Sequence, residues 1–405
     1  MAELPAYPLA RECPYRPSPQ MARLNKMGPL TRVRLYDGRI AWLVTGPAEA
    51  RALLADKRVS SRSDHPNYPV MDPRHLRMRA TREMAREQEG GFAGALFGVD
   101  PPEHSRQRQL LVPRFTARQV AALRPRIQQI VDEQLDALLA QGPPADLVAD
   151  FAAPVPLMVI CAHLGVPYTD RQTFEPAVRR LFDPERADAA MAELTAYLHR
   201  LIDQKAAGDP GPGVLDSLVA GPLRQGKLDR AMLAAFALAI LVAGTITTSS
   251  VIALGTLALL DHPEQYAQLA ADPDRVPGAV EEILRYVSLV EQLARVAVAD
   301  VDIAGHTIKA GDPVLVSMAA ANLDPSVTSN PERLDVTGPP PANHLAFSFG
   351  IHHCLGHNLA RLELEVAFRT LVERVPTLRL AVPAGEVPTY RDADVQRLAS
   401  LPVAW

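Results

Sequence analysis

Residues Phe347 to Glu363 read FSFGIHHCLGHNLARLE, and the fold of the chain turns on this stretch. Gly350 lets the backbone pass close to something bulky, and Cys354 stands directly before a segment of helical period, Leu355 to Val375. Leu355, Leu359, Leu362 and Val366 line one face of that helix. A cysteine at a helix N-terminus meets free N–H groups and the positive end of the dipole, which favours the thiolate. Gly356 removes a side chain just past the sulfur, where a flat ligand has room against the backbone. Thiolate is one of the few axial ligands of haem iron, and it favours O–O cleavage. An inert buried cysteine is the plainer alternative. The other rival is a zinc site from His352, His353, Cys354 and His357, but three consecutive residues cannot easily surround one tetrahedral ion.

Upstream, Ala231 to Leu260 carries no charge for thirty residues, long enough to span a bilayer. It is rich in Ala, Gly, Thr and Ser and lacks aromatic or strongly basic flanks, so it reads as a helix buried on all sides, with Asp229 as its N-cap. Gln119 to Gln141 has the apolar face of one helix, and Pro263–Ala271 and Pro277–Val287 read as two shorter ones. Arg32–Tyr36 and Ile40–Thr45 flank Asp37-Gly38 as a hairpin. Arg295 to Val316 alternates around Gly305 and Gly311 as a small sheet, and Gly338–Pro341 is a proline-rich loop. Segments 61–98 and 208–213 read as mobile surface connections. Mostly helix with a segregated minority of strand means a mainly α fold with a minor β portion. The 405 residues are 48% apolar and 22% charged, an ordinary globular balance. A net charge of -4 gives no reason to expect nucleic acid. Cys13, Cys161 and Cys354 show no CxxC spacing, and no signal-like run opens the chain, so a cytoplasmic protein with no membrane span is expected.

Phe347, Gly350, Cys354 and Gly356 together resemble the FxxGxxxCxG haem loop of the cytochrome P450 family. Glu282 and Arg285 match its ExxR, with Arg333 resembling the third member of that buried network. His104 and Arg108, in DPPEHSRQR, resemble the pair that binds the haem propionates; Arg295 and His352 match further propionate-binding positions. Ala243, Gly244, Thr247 and Thr248 resemble the oxygen-binding AGxxTT. The chain departs from the family at Ile246, where most members carry a proton-delivering acid, at Leu334, often Phe, and at Leu323, often Arg in close relatives. The resemblance runs from about Leu30 to Trp405. It implies one cytochrome P450 domain over residues 1–405, a triangular helical prism holding haem b between the long helix and the Cys354 loop. It also implies a monooxygenase that inserts one atom of O₂ into an apolar small molecule such as a polyketide, a macrolide, a steroid-like compound or a xenobiotic. Electrons then come from NAD(P)H through a ferredoxin reductase and a ferredoxin, to a monomer whose docking face includes Arg106, Arg114, His353, His357 and Arg361. The pocket walls fall at 61–98, 165–205, Leu289–Gln292 and 391–398. An NADH-dependent nitric oxide reductase is the alternative enzyme, and a haem-based sensor or ligand carrier the alternative of another class.

Overall fold

A computed structural model of the chain describes residues 4–72, 95–180, 186–390 and 395–405. The core is built around the helix Arg230–Leu260, which runs unbroken for 31 residues. At 1.5 Å per residue it is about 45 Å long. Asp229 caps it as expected, its Oδ1 accepting from the N–H of Met232 at 2.7 Å. Leu233–Leu241 and Ser250–Leu260 are buried, while Val242–Gly244, Ile246, Thr247 and Ser249 keep partial exposure at the middle. An interior helix with an accessible waist borders an internal space. Among the described residues this is the one helix long and apolar enough to cross a membrane, and its most apolar stretch is 61% buried within the protein.

Helices Pro154–Leu164, Ala187–Ala207, Val276–Val287 and His357–Arg374 pack against the central one. The single helix expected over Gln119–Gln141 is two, Ala117–Ala121 and Arg124–Gln141. Pro125 is the reason: it has no N–H to give a preceding turn and is accepted only in the first turn of a new helix.

The expected hairpin forms from β1 (Leu30–Arg34) and β2 (Ile40–Val44), with Gly38 at φ +83° in the turn. The small sheet expected over Arg295–Val316 is not separate from it. β3 is Val59–Ser60 and β4 Ala145–Asp146, followed by β5 (Gln292–Ala297), β6 (Val301–Ile303), β7 (His306–Ile308) and β8 (Pro313–Ser317). β5 and β8 join the hairpin in a five-stranded sheet of order β1-β2-β8-β5-β3, in which β2 and β8 run parallel. β6 and β7 pair only with each other. A third sheet, of β4, β9 (Arg379–Leu380) and β10 (Pro402–Ala404), escaped the sequence reading because strands of two or three residues show no period.

One buried cation ties these layers to the Cys354 loop. Arg285 is 1% exposed and makes two 2.7 Å bonds to Glu282, through Nε and Nη2. It also donates to the carbonyls of Asn322, Pro331 and Arg333 at 3.1, 2.7 and 3.1 Å. Arg333 therefore enters the network by its backbone; its side chain is exposed, which corrects the expectation of a third charged member. Asn322 accepts in turn from the N–H of Leu345 at 2.6 Å, two residues before Phe347. Segment 208–213 is exposed through Pro212 but ends on a buried carboxylate. Asp216 accepts there from the N–H of Gly213 at 3.1 Å and from Lys205 at 2.7 Å. Of the expected pocket walls, residues 73–94, 181–185 and 391–394 lie outside the described residues.

Candidate functional site

The Cys354 loop is closed by its own backbone. Phe347 O accepts from the N–H of Cys354 at 2.9 Å, and Gly350 O from that of His353 at 3.1 Å. Gly350 holds φ +72°, and a Cβ there would stand 2.2 Å from the carbonyl oxygen of Leu54. The bulky neighbour inferred from the sequence is thus the end of the helix Pro47–Ala55, not a ligand. Gly356 differs: a Cβ built on it meets nothing within 4 Å. That open space lies two residues past Cys354, where the sequence suggested room for a flat ligand.

The helix after the loop begins at His357, with Gly356 as its N-cap, so Cys354 lies short of the first turn. The expected lowering of the thiol does not hold. Burial pushes the Cys354 thiol up, against the Gly356 N–H and the guanidiniums of Arg108 and Arg361, which favour the thiolate. A metal ion bound at the sulfur would favour the thiolate further.

The four predicted donors are brought together beside the loop. Arg108 Nη2 donates to His353 O at 2.7 Å, and the rings of His104 and His352 lie 4.1 Å apart. β5 delivers Arg295, 8% exposed, whose Nη1 donates to the carbonyl of Ala294 at 2.8 Å. Among the described residues neither guanidinium has a carboxylate partner. His104 is 2% exposed, and Nε2 of His352 is buried without a hydrogen-bond partner. Burial lowers His352 to about 3, with Arg295, His104 and Arg108 adding to the effect. It likewise lowers His104, Arg108 and Arg295. Asp100 opposes the shifts of His104, His352 and Arg295 by its charge, but its oxygens are hydrogen-bonded to Ser60 and Ser61, so buried cations and an orphaned imidazole nitrogen remain a costly arrangement unless an acidic ligand completes it. A flat molecule with two carboxylates on one edge and a metal at its centre for the sulfur fits this set. Haem b has both. Among the described residues no three His, Cys, Asp or Glu side chains converge to hold a bare metal ion.

On the central helix the four motif residues divide. Thr247 keeps partial exposure, as do Ala243 and Ile246 on the same face, and its Oγ1 donates to Ala243 O at 2.7 Å. Thr248 is 4% exposed. Gly244, expected to let the helix open, instead admits Ile160, whose Cδ1 would lie 2.9 Å from an added Cβ. The helix is regular through this point.

The sequence reading missed the groups around Phe347. His344 and Arg361 lie against its ring, and Glu281 binds both of them. Two adjacent glutamates precede Arg285, and only the fold shows that Glu282 takes the arginine while Glu281 faces the Cys354 loop.

Comparison with known proteins gives a consistent result. The cytochrome P450 family model matches residues 200–378. The chain is 48% identical to pentalenic acid synthase of Streptomyces avermitilis, over 99% of this chain and 97% of that protein. It is 45% identical to vitamin D3 dihydroxylase of Streptomyces griseolus, over 100% of this chain and 97% of that one. The crystal structure of cytochrome P450 MoxA from Nonomuraea recticatena superposes with a TM-score of 0.91 at 42% identity, covering 99% of this chain and 98% of that one.

Proposed function

The chain belongs to the cytochrome P450 family and is a haem monooxygenase, and from that premise we propose that Cys354 is the axial ligand of its iron. The observation that carries this reading is the group of buried donors beside the Cys354 loop that no carboxylate among the described residues hydrogen-bonds, Asp100 acting on His104, His352 and Arg295 by its charge alone. His104, Arg108, Arg295 and His352 take the two propionates, which orients the ring. Phe347 and Gly350 shape the loop, Gly356 leaves its face open, and its N–H is shared with the sulfur. Haem bound there supplies the activation of O₂ that no side chain provides. The residues bind, orient and exclude water. Ala243 and Ile246 present an apolar surface to the internal space, and Thr247 Oγ1, already a donor to Ala243 O, can accept from a water that carries protons inward. Gly244 and Thr248 hold that segment of helix in place through packing.

The finer reading follows the relatives. Enzymes named for pentalenic acid and vitamin D3 support an apolar substrate of secondary metabolism, hydroxylated or epoxidised by one atom of O₂. The family implies a redox partner; the proposal is a ferredoxin reduced from NAD(P)H by a ferredoxin reductase, acting on a cytoplasmic monomer with a single catalytic domain over residues 1–405.

The test is spectral and catalytic. Ferrous protein under CO shows the strongly red-shifted Soret band of a thiolate ligand, Cys354→His loses it, and Cys13→Ser and Cys161→Ser keep it. Persistence of the band in Cys354→His sinks the assignment. Turnover with ferredoxin yields an oxygenated product, and consumption of nitric oxide with NADH alone, the alternative that the relatives do not favour, is not expected.

A further inference from the structure

Beyond the axial ligand and the propionate donors, a second charged cluster surrounds Phe347. Glu281, on the same helix as Arg285, accepts from Nε and Nη2 of Arg361 at 2.7 and 2.9 Å. Its Oε2 also lies 2.9 Å from Nε2 of His344, a side chain 3% exposed. Arg361 Nη1 stands 2.9 Å from His357 Nδ1, and its guanidinium lies 4.4 Å from the centre of the Phe347 ring. Burial alone would raise the Glu281 carboxyl, but His344 and Arg361 hold it down to about 2. The carboxylate is therefore ionised at any working pH.

Arg361 and Arg108 both touch the backbone that carries Cys354: Arg361 lies over Phe347, whose carbonyl accepts from the Cys354 N–H, and Arg108 donates to the carbonyl of His353. Their settings differ. Arg108 has no carboxylate among the described residues, whereas Arg361 is bound through two nitrogens by Glu281. A two-pronged pair fixes both the position of the guanidinium and its net field. Phe347, beneath that guanidinium, gives its carbonyl to the N–H of Cys354.

We propose that Glu281 is a positioning residue for electron uptake: by pairing with Arg361 it sets the charge felt at the Cys354 sulfur, and so the reduction equilibrium of the bound haem. The inference rests on Cys354 being the iron ligand. One electron leaves the reduced partner, which is oxidised, and ferric haem becomes ferrous. A cation near the thiolate favours the ferrous state by withdrawing negative charge from the sulfur, and an anion paired to that cation opposes it. The pair thus holds the equilibrium between two extremes.

The signs separate this role from a structural one. In a spectroelectrochemical titration, Glu281→Gln, which leaves Arg361 unbalanced, shifts the equilibrium toward ferrous by about tenfold, or about 59 mV for one electron. Arg361→Gln shifts it the other way. The double variant Glu281→Gln/Arg361→Gln returns within about threefold of wild type, and Glu281→Asp keeps most of the wild-type value, as expected for a Coulomb effect. If both single variants move in the same direction, or neither moves, the pair merely braces the loop and the proposal is overturned. Should Glu281→Gln fail to take up haem, Arg361→Gln and the double variant still decide, because only a charge effect makes them differ. The ferrous–CO band is read on every sample. Its absence from wild type would refute the Cys354 assignment, whereas its presence with unmoved potentials refutes only the role given to Glu281.

Discussion

Thr247 and Ile246 sit side by side at the waist of the central helix, and only one of them can handle a proton. Reducing one atom of O₂ to water takes two electrons and two protons, and Ile246 carries none. Thr247 Oγ1 spends its hydrogen on Ala243 O at 2.7 Å, leaving the oxygen as an acceptor. That bond is also what an ordinary threonine inside a helix makes, so geometry alone fits both a relay and a bystander. The two differ in coupling. If the hydroxyl holds a proton-carrying water, Thr247→Ala forms less product per NAD(P)H and releases more hydrogen peroxide. The loss is part of the roughly 10²–10⁴-fold that positioned proton transfer contributes. Thr247→Ser should recover most of it, and unchanged coupling in Thr247→Ala on several substrates would leave delivery to a hydroxyl on the substrate. Much of the site was legible at this scale. Cys354, His104, Arg108, Arg295 and His352 carry type and spacing that survive in the linear chain. Glu281 did not, because a glutamate beside the ExxR helix's own glutamate has no pattern of its own until neighbouring segments pack on it.

Most elements that rest on local chemistry were read correctly, the break at Pro125 being an exception, and those that rest on distant pairing were not. The central helix, its cap at Asp229 and the turn at Gly38 are decided within a few residues. The parallel pairing of β2 with β8 joins Trp42 to Val314 across the sequence, which no local period encodes. The two loop glycines make a test of the same distinction. Gly350→Ala forces a side chain into φ +72° and against Leu54 O, so it should destabilise the fold by at least about 1–2 kcal/mol, seen as a lower denaturant midpoint. Gly356→Ala meets open space at an ordinary φ and costs the fold about 1 kcal/mol at most, as a poorer N-cap. Its larger effect should be on haem uptake, followed by titration of the Soret band. A midpoint lowered more by Gly356→Ala than by Gly350→Ala would contradict both assignments.

For the whole molecule, the net charge of -4 says little about where a partner lands, because charges cluster and cancel locally. Two cations first assigned to a docking rim are engaged: Arg361 by Glu281, and Arg114 by the Ser217 hydroxyl. Arg106 is the freer charge, 75% exposed and only 3.7 Å from Glu103. If the proposed partner is an acidic ferredoxin steered by this rim, its association slows as ionic strength rises. Arg106→Glu should weaken that salt dependence while substrate affinity, read from the spectral shift, stays unchanged. Rates insensitive to salt would move the docking face elsewhere. The Arg285 hub has a consequence in time as well. Its carbonyl partners at Asn322 and Arg333 lie 37 and 48 residues further along the chain. At about 5–20 residues per second of synthesis, they leave the ribosome roughly 2–10 s after the arginine. Through that interval the most deeply enclosed cation of the hub must stay in water, so the helix that bears it cannot seat in the core until the strand and loop behind it have been made.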